Sequence, residues 1–371
     1  MLPVLGIIAL VAALLAVGRF AMANNQTTAQ DNAIADAAAA SLLEDESADA
    51  ESEDTADDKP AKTDKRDGKG GGKNDGSNTG KNGSKGPKGE RRPSVDLRNR
   101  VQVAADGLAA DPAAFRVASF NVLGYSHTKP GGNKRGYAGG NTRMGWAVQL
   151  IRGNNISVVG LQEYEQPQHA TFMNITGGSW GVYPGLQVGK KGVRNSIAWN
   201  NGVWELVEAH TIPIPYFHGN LVPMPYVLLK HKETGRLSWF INIHNPASTR
   251  GPAQHWRDVA TAKEIALMND LQAPTSANQI GVPTFLMGDF NEKSEAFCRV
   301  TAGANAQAAN GGTSSPCRLP SNHGIDWIFG STPGVAFSGY VRMDGGLVNR
   351  VSDHPLIFSD VTLTGEAPYV E

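Results

Sequence analysis

The chain has 371 residues, and its 34 Lys plus Arg nearly balance 35 Asp plus Glu, for a formal charge of −1 at pH 7. That length holds one large domain or two small ones. The neutral balance excludes any argument from bulk charge for nucleic acid or a membrane surface, and two cysteines exclude a disulfide-rich scaffold.

Residues 2–17 are almost wholly apolar, a run shorter than the roughly 20 residues that span a bilayer. Ala21-Met22-Ala23 follows, a pattern that suits signal peptidase, although no Lys or Arg precedes the apolar run. Residues 1–23 therefore read as a secretory signal peptide or an uncleaved membrane anchor. The expected location is secreted or attached to the cell surface. Residues 24–110 read as a linker, acidic at first (Glu44, Asp45, Glu46, Glu51, Glu53, Asp54) and then rich in Gly and Lys. Neither half carries enough large apolar side chains to offset chain entropy, so both are expected to be disordered. The plain reading is a soluble spacer. The sharper one is a basic arm that touches an anionic polymer.

Residues 111–371 read as one folded domain. A first strand is expected over 115–122, then a Gly-rich loop over 125–143 carrying Lys129, Lys134, Arg135 and Arg143. A helix follows from about Thr142, with Met144, Val148 and Ile151 on one face. Residues 156–162 form a second strand, and Pro167 opens a short helix. Segments 196–199, 203–212, 225–231 and 237–244 read as an antiparallel set. Residues 253–271 are the clearest amphipathic helix, with Val259, Ala262, Ile265, Leu267 and Met268 expected inward. Strands at 283–289, 324–329, 335–341 and 356–363 complete the list. Cys298 and Cys317 are expected to form a disulfide in an exported protein. Many strands with a few interspersed helices point to an α+β architecture of two packed sheets covered by helices.

Polar residues punctuate these strands in a repeated way. Met287-Gly288-Asp289-Phe290-Asn291 ends one buried run with a carboxylate and an amide. Asn121, Gln162-Glu163 and His244 end three others, Asp326 lies within 324–329, and Ser352-Asp353-His354 precedes the last. Strand ends can present polar groups without burying them unpaired. Carboxylates, amides and histidines gathered at strand ends are what metal-assisted phosphoryl chemistry needs. Each residue also has an ordinary reading: His354 as a turn residue, Asp326 as part of a buried hydrogen-bond network, Asn121 as a strand terminator. His127, His169, His218 and His255 have no partner pattern and are left outside the site; His323 reads as loop.

Taken in order from about Arg116 to about Leu363, this set resembles the endonuclease/exonuclease/phosphatase superfamily, which includes DNase I-like nucleases, abasic-site endonucleases, neutral sphingomyelinases and inositol-phosphate phosphatases. The resemblance implies a four-layer α/β sandwich, with two mostly antiparallel sheets flanked by helices. Glu163 is the first candidate for the main ligand of a divalent cation, with Asn121, Asp289 and Asp353 adding or orienting ligands. The ion expected is Mg²⁺, with Mn²⁺ or Ca²⁺ as alternatives. His354, oriented by Asp326, is the first choice for acid–base work and Asp289 the competing base. Asn291 would hydrogen-bond the phosphate, and His244 would act near the leaving group. Two departures stand out. Asn195 or Ser196 occupies the stretch where a DNase I-like chain supplies a Glu for the second His, and Glu165 stands where those nucleases carry an Arg.

The leading expectation is a monomeric metal-dependent phosphodiesterase acting on nucleic acid, with Arg143, Lys190 and Arg194 holding successive phosphates. A sphingomyelinase-like or inositol-phosphate-like phosphoesterase is the second, with residues 212–226 as an apolar rim. A non-catalytic surface-binding module is the third. No protein partner is implied, and any membrane or cell-surface tether would run through the N-terminus.

Overall fold

The structure is a computed structural model and describes residues 112–273 and 281–363. The expected leader (1–23) and linker (24–110) lie outside the described residues. Two six-stranded sheets form the body. The first is built from β1 (Ala113–Asn121), β2 (Val158–Gln162), β3 (Trp180–Tyr183), β4 (Asn195–Asn200), β13 (Val335–Met343) and β14 (Leu356–Leu363), in the order β13-β14-β1-β2-β4-β3. The second is built from β5 (Trp204–Pro215), β6 (Leu221–His231), β7 (Leu237–His244), β8 (Thr284–Asp289), β9 (Ala306–Ala308) and β12 (Asp326–Ser331), in the order β5-β6-β7-β8-β12-β9. A small hairpin pairs β10 (Thr313–Ser314) with β11 (Cys317–Arg318). In the first sheet β1 and β2 are parallel, as are β7 and β8 in the second; the other pairs are antiparallel.

Alternation along the strands builds the layers. Phe115 and Val117 of β1 face the second sheet and join Val158, Ile197, Trp199, Trp204, Phe240, Phe285, Met287 and Ile328 between the sheets. Ala118, Phe120 and Val122 form a cluster with Met144, Val148 and Ile151 of helix α1 (Gly140–Gly153) and Phe172 of α2 (Gln166–Thr176). On the far side of the second sheet, Ile241, Ile243, Leu286 and Phe329 pack on α3 (Gln254–Gln272) and α4 (Ser294–Gly303). Helix, sheet, sheet, helix is the expected four-layer sandwich. Each fully buried large apolar side chain stabilises it by about 1.5–3 kcal/mol. No described helix is long and apolar enough to cross a membrane.

Three expectations need correction. Segment 196–199 belongs with β2 and β3 in the first sheet, not with β5–β7. The inward face of α3 is Arg257, Ala260, Thr261, Glu264 and Met268, whereas Val259 and Ala262 are exposed. A buried polar network turns that helix: Arg257 Nε donates to Glu292 Oε1 at 3.2 Å, and Asn245 donates to Glu264 Oε2 at 3.4 Å. The strands β3 and β9 and the helix α4 were not anticipated. Cys298 and Cys317 are joined as a disulfide, which ties α4 to the small hairpin.

Candidate active site

Strand register builds the site. Asp289 ends β8, lies beside His244 in the parallel neighbour β7 and faces Asp326 in the antiparallel neighbour β12. The motif glycine has a local reason. Gly288 sits at φ 150°, and a Cβ there would stand 2.0 Å from the Ile243 carbonyl oxygen. Only Gly lets β8 approach β7 closely enough to set Asp289 and His244 side by side. In the first sheet, Asn121 ends β1 beside Gln162 of β2, and Glu163 follows in the left-handed region at φ 56°. Gln162 Nε2 crosses to Asn242 Oδ1 of β7 at 2.6 Å, tying the two sheets together behind the site.

Asp289 is the hub, with 1% of its side chain exposed. Its Oδ2 accepts from Asn121 Nδ2 at 3.1 Å and lies 3.4 Å from His244 Nε2 and 3.6 Å from His354 Nε2. Its Oδ1 accepts from the Asn291 amide at 2.9 Å. Asn291, itself at φ 52°, donates through Nδ2 to the Asn245 carbonyl at 2.8 Å. Asp326 brackets the other nitrogen of His354, with Nδ1 at 3.0 and 3.1 Å from its two oxygens. Burial disfavours charge on His354, but Asp326 and Asp289 outweigh it, and its pKa is pushed up to about 10. The ring is therefore protonated in the metal-free protein. Burial pushes Asp326 up as well.

Glu163 forms the opposite wall. Its Oε1 accepts from Asn121 Nδ2 at 3.1 Å, and its Oε2 accepts from the Gly124 amide at 3.0 Å and lies 3.2 Å from His127 Nε2. Burial alone would raise its pKa. The His127 hydrogen bond, the His244 ring, the Gly124 amide and the Asn121 amide together hold it well below the usual carboxylate range. An ionised, partly exposed carboxylate facing a second one across a single amide is a donor set that suits a hard divalent cation. Among the described residues, Asp289, Asp326 and His354 also bring ligand atoms within 4.8 Å of one another. Asp326 is already spent on His354, which leaves Asp289 as the carboxylate of that trio able to turn toward a cation.

Several expected roles change with the geometry. Asn121 presents its amide nitrogen to both carboxylates while its oxygen accepts from the Leu123 amide at 3.1 Å, so it orients the ligands rather than adding one. Asp353 is held at 2.6 Å by Lys134, and its charge also acts on the neighbouring His354 ring. Arg143 does not reach substrate. It is fully buried, and its five N–H donors go to the carbonyls of Ala138, Val122, Val351 and Gly124 and to Thr128 Oγ1. It is a strut that binds the basic loop to β1 and to the segment before β14, and burial lowers its pKa to about 10. Arg194 is exposed and pairs with Glu165 at 2.9 Å. Lys190 stands exposed on the turn Gly189–Gly192.

The two departures acquire structural meaning. Glu165 caps α2 through a reciprocal pair with Gln168 and accepts from the Ser126 amide and hydroxyl at 2.8 and 2.7 Å. It fixes the loop above Glu163. Where a Glu would meet the second His, Ser196 donates to the Val193 carbonyl, and the ring of Tyr216 lies edge-on to His244 at 5.5 Å. Sequence reasoning left His127 outside the site and placed Tyr216 only in the apolar rim over 212–226. Tyr216 sits in a turn between β5 and β6, and its hydroxyl is held well above its usual pKa by burial and by Glu163 and Asp289. His127 carried one usable signal, its position in the loop directly after Asn121.

Comparison with known proteins bears on the family and the fold. The Endonuclease/Exonuclease/phosphatase family pattern matches residues 118–354. A family protein from Bacteroides thetaiotaomicron is 17% identical, with a TM-score of 0.53 over 69% of this chain and 100% of that one. The human Nocturnin catalytic domain, solved with a bound sulfate anion, is 17% identical, with a TM-score of 0.54 over 69% of this chain and 98% of that one. A mannosyl-6-phosphatase from Bacteroides thetaiotaomicron VPI-5482 is 18% identical, with a TM-score of 0.50 over 67% of this chain and 99% of that one. No curated protein matches the chain. At these identities the solved structures establish the fold, and the family match establishes the rest: the chain belongs to the endonuclease/exonuclease/phosphatase family of phosphoric ester hydrolases, whose members are usually dependent on a divalent metal.

Proposed function

We propose that the protein is an exported, divalent-metal-dependent phosphodiesterase that hydrolyses nucleic acid by in-line attack of water. The observation that carries this reading is the meeting of two imidazoles and one amide at a single Asp289 oxygen, opposite Glu163. A diester has two oxygens to manage, one attacking and one leaving, and the site offers the Asp289 carboxylate for the first and the His244 ring for the second. Export is supported by the apolar leader and by the Cys298–Cys317 disulfide.

Glu163, oriented by Asn121, would hold the cation, which would neutralise charge on the phosphate oxygens. Asp289 Oδ2 accepts the proton of the attacking water, and its other oxygen is held by the Asn291 amide. His354, charged and fixed by Asp326, stabilises the negative charge on the non-bridging phosphoryl oxygens. His244 donates a proton to the leaving oxygen, beside Tyr216. Lys190 and Arg194, both exposed, would meet the flanking phosphates of a polymer, Arg194 by leaving Glu165.

The test of the polymer reading is plasmid cleavage over a salt series. Lys190→Ala combined with Arg194→Ala should weaken nicking and flatten the salt dependence by about one unit of logarithmic slope per removed phosphate contact. Hydrolysis of a small chromogenic diester should be unchanged. Equal loss on both substrates would contradict the polymer assignment.

A further inference from the structure

The loop over 125–139 places one histidine where the family resemblance assigns nothing. His127 Nε2 lies 3.2 Å from Glu163 Oε2, while its Nδ1 lies 2.7 Å from Asn133 Oδ1. An amide oxygen only accepts, so Nδ1 carries the proton and donates to it. Nε2 is then the nitrogen that faces the carboxylate, where it donates to Glu163 Oε2 when protonated, and a bound cation would take that proton's place between the two ligand atoms. Metal-binding histidines are commonly oriented in this way, with the far nitrogen donating to a fixed oxygen and the near one turned toward the ion.

The position is built by the loop. The Gly124 and Ser126 amides are taken by Glu163 and Glu165, the Tyr125 amide by Gln168, and Arg143 grips the Gly124 carbonyl and Thr128 Oγ1. The His127 carbonyl accepts from the Lys134 amide at 2.9 Å, and a Cβ at Gly132 would stand 2.3 Å from that carbonyl oxygen. Backbone and side-chain bonds thus fix both the turn and the ring. The Glu163 backbone, in a left-handed conformation, turns its carboxylate toward this loop.

We propose that His127 is a nitrogen ligand, through Nε2, of the same cation that Glu163 holds. This rests on reading Glu163 as the cation's carboxylate. A mixed nitrogen and oxygen site is tuned toward Mn²⁺ and other first-row transition ions rather than Mg²⁺, which prefers oxygen donors and its own waters. The chain thereby adds a donor of its own to the oxygen set that the resemblance implies.

The test uses the full chain and Mn²⁺ alone, without substrate. Calorimetry gives affinity, and pulsed electron paramagnetic resonance gives the nitrogen coupling of a directly bound imidazole. Wild type should bind Mn²⁺ and show that coupling. His127→Ala and His127→Gln, checked for folding by thermal melts, should lose it and bind Mn²⁺ roughly 10- to 100-fold more weakly, with a smaller loss for Mg²⁺. His244→Ala and His354→Ala should keep the coupling. Mn²⁺ that binds in a Glu163-dependent way without nitrogen coupling, or with coupling that survives His127→Ala, overturns the ligand assignment and leaves the metal centre standing. Absence of any Glu163-dependent Mn²⁺ binding overturns both.

Discussion

Asp289 and His354 show how much a few contacts decide. Four groups approach the Asp289 carboxylate, and Asp326 sets the charge of His354 from behind. Asp326→Asn removes that charge while keeping shape. It should lower kcat by about 10²- to 10⁴-fold with little change in KM, because orientation and charge of a catalytic ring act mainly in the transition state. In the metal-free protein the His354 ring, protonated up to about pH 10 in wild type, should titrate at lower pH in the variant. A ring resonance followed by NMR across pH 5–10 checks this, and an unchanged titration would contradict the assigned role. At this scale the sequence was legible wherever a residue ended a strand. Asn121, Glu163, His244, Asp289, Asn291, Asp326 and His354 all converge. His127 was set aside and Tyr216 read only as part of an apolar rim because loop and turn residues carry no periodicity. Arg143 misled because a count of basic residues does not tell a buried strut from a surface contact.

Among the elements, α3 departs furthest from its pattern. Apolar spacing suggested one inward face, but the helix is rotated to bury Arg257, Thr261 and Glu264. Buried ion pairs are invisible to a reading that equates polar with exposed. These residues couple α3 to the loops after β7 and β8: Arg257 bonds to Glu292 and the Pro246 carbonyl, and Asn245 joins Glu264 to Asn291. Glu264 is fully buried, one of its oxygens has no partner, and burial raises its pKa to about 8. The sign follows from linkage. The folded pKa lies above the unfolded value of 4.5, so the contribution is full below 4.5 and is lost as pH rises through about 8. Glu264→Gln stays neutral at every pH. It should therefore be more stable than wild type at pH 8 by on the order of 4 kcal/mol and gain little at pH 4.5. Urea unfolding at the two pH values measures the difference. Parallel pH profiles would show that the carboxyl is not buried as the structure has it.

For the whole molecule, the sandwich was legible because its cores are separated by strand alternation. Odd positions of β1 reach the inter-sheet core and even ones reach α1 and α2. Sheet membership was less legible: nothing in 195–200 alone says that this strand pairs with β2 rather than β5, since that choice depends on contacts distant in sequence. The two sheets meet so that β1 and β2 deliver Asn121 and Glu163 while β7, β8 and β12 deliver His244, Asp289 and Asp326. The site thus exists only in the assembled sandwich, with Gln162 and Asn242 bridging behind it. The central claim is that this one site performs metal-dependent phosphodiester hydrolysis. Its most direct test is hydrolysis of plasmid DNA by the purified protein with Mg²⁺ or Mn²⁺ and with EDTA, beside Glu163→Gln and His354→Ala. Nicking that needs the metal and falls by at least about 10²-fold in both folded variants is the predicted result. Cleavage that persists in EDTA or in Glu163→Gln, or no cleavage by the folded, metal-loaded wild type, would contradict it.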